Sequence, residues 1–196
     1  SDECGLMFPI IPANSAAASS GNSEGIFGYG SGPVSLTNLV SNTGVVATDV
    51  TGVGTARAYL AACEYGDDKG IFGYGTDGSS SVSLTNLVSN AGVVATDTTG
   101  VGTARNNLAA CAYGEDKGIF GYGVAGGNVS LTNLVSNSGV VASDTTGVGT
   151  ARKMLAACEY GEDKGIFGYG GWGPVSMTNL VSNTGVVSTD VTGVGT

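Results

Sequence analysis

The hexapeptide GIFGYG stands at residues 25–30, 70–75, 118–123 and 165–170, so successive copies begin 45, 48 and 47 residues apart. A near-constant period of this length marks a repeat architecture. Each copy carries a long tail of almost unchanged text, as in VSLTNLVSN at 82–90, GVVATDTTGVGTAR at 92–105 and NNLAAC at 106–111. The duplicated unit is therefore a whole supersecondary element, and the chain is expected to hold four of them and little else.

A chain of 196 residues is the size of one domain, and four copies within it must share a core between neighbours. Gly is present 35 times, hydrophobic residues make up 41% and charged ones only 12%. That balance suits short strands joined by tight turns, and the expected class is all-β. Seven basic residues, scattered singly in a chain of net charge −9, offer no positive stripe for phosphates, which argues against a nucleic-acid partner. No apolar run approaches the roughly 20 residues that span a bilayer, and the opening SDEC has no leader-like n- or h-region, so a soluble chain without a membrane span is expected.

Four strand-like runs fall within each unit. In the second they are A (59–65), B (70–75), C (82–89) and D (93–98), with turns GDDK, TDGSSS, NAG and TGVGT between and after them. Alternation along B predicts Phe72 and Tyr74 on one face and Ile71, Gly73 and Gly75 on the other. The bulky face of one unit can then fill the bare face of the next. Strand A is rich in small residues (Ala61, Ala62, Cys63), which suits an innermost, crowded strand and favours closure at four. The expected architecture is a small four-bladed β-propeller over 12–196, with repeats at about 12–56, 57–104, 105–151 and 152–196, preceded by an apolar N-terminal arm at 1–11.

Residues 57–92 (RAYLAACEYGDDKGIFGYGTDGSSSVSLTNLVSNAG) resemble the kelch repeat: an initial Arg, a small apolar strand, a turn, an apolar strand ending in glycines, a variable loop, then another strand and turn. They are similar in particular to kelch-like repeats of bacteriophage structural proteins. The resemblance covers about 12–196 and implies a β-propeller in a structural or appendage protein. It departs from kelch where Gly-Tyr-Gly (73–75) replaces the double glycine, and where Val93 and Val94 stand in place of the fourth-strand Trp.

The chain contains no His, which removes Ser-His-Asp and Cys-His machinery, His metal sites and the commonest general base. Carboxylate pairs would remain, but Asp49, Asp97, Asp144 and Asp190 recur symmetrically, whereas an active site needs one special place. No enzyme, cofactor or metal is expected. The first three of these Asp each precede an Arg by eight residues (Arg57, Arg105, Arg152), which reads as a repeated ion pair or a turn-capping carboxylate. The acidic A–B turns (Glu64, Asp67, Asp68; Glu115, Asp116; Glu159, Glu162, Asp163), each beside Lys69, Lys117 or Lys164, read as solvated turns, since their spacing does not fit a calcium loop. Cys63, Cys111 and Cys158 recur in the phrase LAAC, with Ala18 at the matching place in the first copy. They read as small buried thiols, or alternatively Cys4 bonds to the last repeat, which would imply an oxidising compartment.

The copies differ in two places: the pair after each Arg (Ala58 and Tyr59, Asn106 and Asn107, Lys153 and Met154) and the B–C loop. Both connections lie at one end of an up-and-down blade, so one face is varied and the other uniform. Tyr59, Asn106, Asn107, Asn128 and Trp172 are the candidate ligand-binding residues, suited to stacking on and hydrogen-bonding a glycan or a host-surface protein, and Asn128-Val129-Ser130 is a lone glycosylation sequon there. The arm contributes Cys4, Leu6, Met7, Phe8, Ile10 and Ile11 as a greasy segment expected to dock on its own propeller or on a neighbour. The functional expectation is a non-catalytic structural and recognition module, extracellular or on a virion surface. The alternative is a self-associating protomer of a filament joined head to tail through the arm.

Overall fold

The computed structural model describes residues 23–171 and 175–193, and within them the chain is all-β, with no helix. Three-stranded antiparallel sheets form from β3 (Ala61–Tyr65), β4 (Lys69–Gly73) and β5 (Thr85–Val88), from β6 (Ala109–Tyr113), β7 (Lys117–Gly121) and β8 (Thr132–Val135), and from β9 (Ala156–Tyr160), β10 (Lys164–Gly168) and β11 (Thr178–Val181). They follow β1 (Gly25–Gly30) and β2 (Val34–Val40), which pair as the first sheet. The segment aligned with β3 in this first unit, 16–20, lies outside the described residues, as do the arm at 1–11 and Trp172.

Register is the same in every unit: Phe72 faces Ala62 on one side and Asn86 on the other, as Phe120 faces Ala110 and Asn133, and Phe167 faces Ala157 and Asn179. The A–B hairpin turns through two left-handed residues, Gly66 at φ 59° and Asp67 at φ 67°, and the pattern recurs at Gly114–Glu115 and Gly161–Glu162. Gly takes that conformation without a Cβ penalty, which explains its place at the head of each turn.

The expected fourth strand is reduced to two bridges per unit. Val88 faces Val94, but Thr85 faces Thr98, so the segment slips by one residue between them, and the other units do the same. Within the slip Asn86 Nδ2 donates to Ala95 O at 3.0 Å and to Asp97 Oδ1 at 2.9 Å. The side chain thus takes over the carbonyl that a regular ladder would have used, and D becomes a bulged segment tied to the sheet.

The core lies between sheets. Tyr65, Ile71, Tyr74, Leu108, Phe120 and Val135 pack between the second and third, and Ala109, Cys111, Tyr113, Ile119, Tyr122, Leu155, Phe167 and Val181 between the third and fourth. The joint is a ring seated over a glycine. A Cβ on Gly73 would lie 2.6 Å from Phe120 Cζ, and one on Gly121 2.6 Å from Phe167 Cζ, while one on Gly28 would meet Phe72 Cζ at 2.8 Å. The interleaving expected from the pleat is present, with one correction. Tyr74 lies on the opposite side from Phe72, because Tyr29, Tyr74, Tyr122 and Tyr169 have φ between 62° and 65° and so break the alternation. Each of the first three Tyr therefore meets the following unit's Phe edge-on, with ring centroids 5.2 Å apart. An edge-to-face pair of this kind adds about 0.5–1.5 kcal/mol beyond its buried area.

The four sheets thus form a row, and no closed ring is shown. At one end Phe27 is 65% exposed, and at the other a Cβ on Gly168 would meet only Thr178, among the described residues.

Candidate functional site

Two constellations recur along the row. One is buried at the joints between sheets, and the other runs along an outer edge.

At each joint a wholly or almost wholly buried Arg is pinned on several sides. Arg105 Nε donates to Tyr122 O at 2.9 Å while its guanidinium carbon stands 4.3 Å from the centre of the Tyr74 ring in the preceding unit. Arg152 repeats this with Tyr169 O and the Tyr122 ring, and its Nη2 donates to Asn179 Oδ1 at 2.7 Å. Arg57 donates to Tyr74 O, Leu84 O and Asn86 Oδ1 and covers Tyr29. A desolvated cation over a ring gains about 2 kcal/mol, and the fork satisfies carbonyls that the bulged Gly-Tyr-Gly leaves without ladder partners.

The Asp–Arg reading needs correcting. Asp144 lies 3.8 Å from Arg105 and Asp190 lies 3.8 Å from Arg152, so each carboxylate pairs with the Arg at the start of its own unit rather than with the one eight residues on. Its stronger bonds reach back across the joint. Thr55 donates to Asp97 from N at 2.9 Å and Oγ1 at 2.7 Å, and Thr103 and Thr150 do the same for Asp144 and Asp190. The turn-capping alternative is therefore the right one, but the capped turn belongs to the preceding unit. Burial alone would raise the carboxyls of Asp97 and Asp144; the bonds from Thr and Asn and the Arg charge outweigh it and hold both below the ordinary value. At Asp190 the Thr150 bond is the leading cause, in the same direction. The Arg and Asn side chains of this constellation, with the Tyr74 and Tyr122 rings, are buried and fill the joint. The sequence points to the Asp and Arg through their eight-residue spacing but not to the Thr, because a partner about 40 residues away leaves no local spacing signal.

The acidic turns face outward. Lys69 pairs with Asp68 at 2.6 Å and Lys117 with Asp116 at 2.6 Å, and Asn90 and Asn137 bond the other carboxylate oxygens. Glu64, Ala112 and Glu159 hold one register position on β3, β6 and β9, and burial together with the Glu64 charge raises the Glu159 carboxyl.

The thiols are unbonded at Cys63, Cys111 and Cys158, and Cys4 lies outside the described residues. Cys63 Sγ fills the space over Gly118, and Cys111 Sγ that over Gly165. Burial pushes Cys63 up and Cys111 up to about 12, so both are inert, while Cys158 on the last sheet is exposed. Among the described residues no sulfur reaches Gly70 in this way; the matching position of the first unit, Ala18, lies outside them.

The varied positions gather on one edge. Asn107 N donates to Tyr59 O at 2.9 Å and Met154 N to Asn107 O at 2.9 Å, so one residue per unit joins a backbone ladder along the row. All three have φ of 53–55°, a left-handed conformation that is uncommon outside Gly. Tyr59 is 54% and Met154 51% exposed. The bridges Ala58–Thr76, Asn106–Val124 and Val124–Asn128 bring the B–C loop beside this ladder, and Asn106 Nδ2 reaches Ser81 Oγ at 2.9 Å. Tyr59, Asn106, Asn107 and Asn128 therefore share one edge region; Trp172 lies outside the described residues. Met154 belongs with them, and its place in the varied pair after Arg152 is the signal for it in the sequence.

The chain matches no protein-family model and no curated protein.

Proposed function

We propose that the chain is a non-catalytic structural and recognition module, extracellular or on a virion surface, whose uniform sheets hold out a varied edge for a glycan or protein ligand. The carrying observation is the ladder Tyr59–Asn107–Met154: the residues that change between copies are held at backbone-fixed intervals while their surroundings do not change. An exposed aromatic ring and an exposed thioether suit stacking and apolar contact, and the neighbouring amides suit hydroxyl or peptide groups. The sheets are read as kelch-like blades; a four-bladed ring would require Phe27 to reach Gly168 within one chain.

The test uses glycan and peptide arrays probed with the chain and with a Tyr59→Ala, Met154→Ala double variant. Binding by the parent and its loss in the variant, with thermal stability nearly unchanged as for most surface substitutions, is the expected result. A variant that binds as the parent does removes this edge as the site.

A further inference from the structure

The joint between sheets is built three times inside the row from one pair of complementary surfaces. Each leading face presents a Phe ring (Phe72, Phe120, Phe167), and each trailing face presents the glycine over which that ring seats (Gly28, Gly73, Gly121). The first sheet's leading face and the last sheet's trailing face carry the same two halves without each other. Among the described residues Phe27 stands 65% exposed, and a Cβ on Gly168 would meet only Thr178 Cγ2, at 3.4 Å. A second pair matches in the same sense. Cys158 is exposed where Cys63 and Cys111 each cover a glycine of the next sheet, and among the described residues a Cβ on Gly25 would meet only its cross-strand neighbour Val40. Asp49 adds a third. It takes a bond from Asn38 at 2.8 Å, and among the described residues no Thr of a preceding unit reaches it as Thr55 reaches Asp97.

We propose that these ends dock on a second copy of the chain: Phe27 of one molecule seats over Gly168 of another, with Gly25 under its Cys158, so that the row continues head to tail. The occupant is a second copy because the vacant faces are the two halves of a joint this chain already makes, and continuing it needs no new chemistry. Such an interface is heterologous and propagates into a fibre unless its rotation closes a ring. The inference does not depend on the recognition reading, and it places assembly on the end sheets rather than on residues 4–11.

The test follows the full chain by analytical ultracentrifugation across rising concentration. The parent should grow with concentration. Phe27→Ala, which alters an exposed ring, and Gly168→Val, which fills the socket, should each weaken association by ~10-fold or more, as truncation of an interface anchor does. Mixing the two variants should then give a one-to-one dimer and nothing longer, because the first keeps only the socket and the second only the ring. Should Gly168→Val lose its β-sheet spectrum, Phe27→Ala titrated against the parent keeps the test, since it can only cap growing ends. Deleting residues 1–11 should leave association in place. A parent that stays monomeric, whether Phe27 is covered by its own chain or the ends do not meet, overturns the proposal. So does growth undiminished by Phe27→Ala, or loss of assembly only on deleting 1–11.

Discussion

Gly73 and Gly168 occupy one position of the repeat in two different surroundings. A methyl at Gly73 would be driven to 2.6 Å from Phe120 Cζ, and that ring is fully buried and cannot swing away. The same methyl at Gly168 would meet, among the described residues, only a Thr methyl at ordinary contact distance. Gly73→Ala is therefore expected to cost about 1–3 kcal/mol by overpacking and to lower Tm by several degrees. Gly168→Ala should be neutral or slightly stabilising, since it restricts the unfolded chain at no steric cost. Thermal melts of the two variants check this, and equal effects would mean that the joint is not seated on its glycines. The pairing of Phe with Gly across units was legible in the sequence, because two-residue alternation alone places them on opposite faces. The side taken by Tyr74 was not, because its positive φ breaks the alternation and is not signalled by residue type.

The fourth segment of each unit depends on carboxylates in a way that the regular strands do not. Asp97, Asp144 and Asp190 are each held below the ordinary carboxyl value in the folded chain by Thr, Asn and Arg. A group depressed on folding contributes stability that is present above its unfolded value, near pH 4, and is lost as pH falls through the folded one. Asp68, Asp116 and Asp163, lowered first by their Lys neighbours, act in the same sense, while Glu159, which is raised, opposes them weakly. Stability should therefore hold from neutrality down to about pH 4 and fall below it. Amide exchange should rise first in 93–103 and its equivalents, before β4, β7 and β10 open; exchange that rises uniformly would refute the role given to these Asp. The sequence showed that D is a separate run bounded by turn residues. It could not show that D is a bulged tie, because its anchors, Asn86 on the neighbouring strand and Thr55 in another unit, come together only in the fold.

The whole molecule is one joint used repeatedly. Removing residues 105–151 would bring Arg152 directly after Ala104, Phe167 over Gly73, Cys63 over Gly165 and Thr103 onto Asp190, all pairings of kinds already present. The shortened chain is expected to fold with the same β-sheet spectrum and a stability lower by about one joint and one unit, as in other repeat arrays. Chemical denaturation checks this, and an unfolded product would show that particular neighbours matter. The repeat and its length were legible from GIFGYG and the all-β character from composition and the short strand-like runs, whereas the relation of first to last sheet was not, since the angle between neighbours depends on how the rings seat. Because the three joints repeat the same contacts, a slip of one unit during copying of the gene is expected to yield another folded protein, one letter longer or shorter along the edge that Tyr59, Asn107 and Met154 spell out. On that expectation unit number is a quantity that inheritance can vary, and surface variety accumulates by whole words.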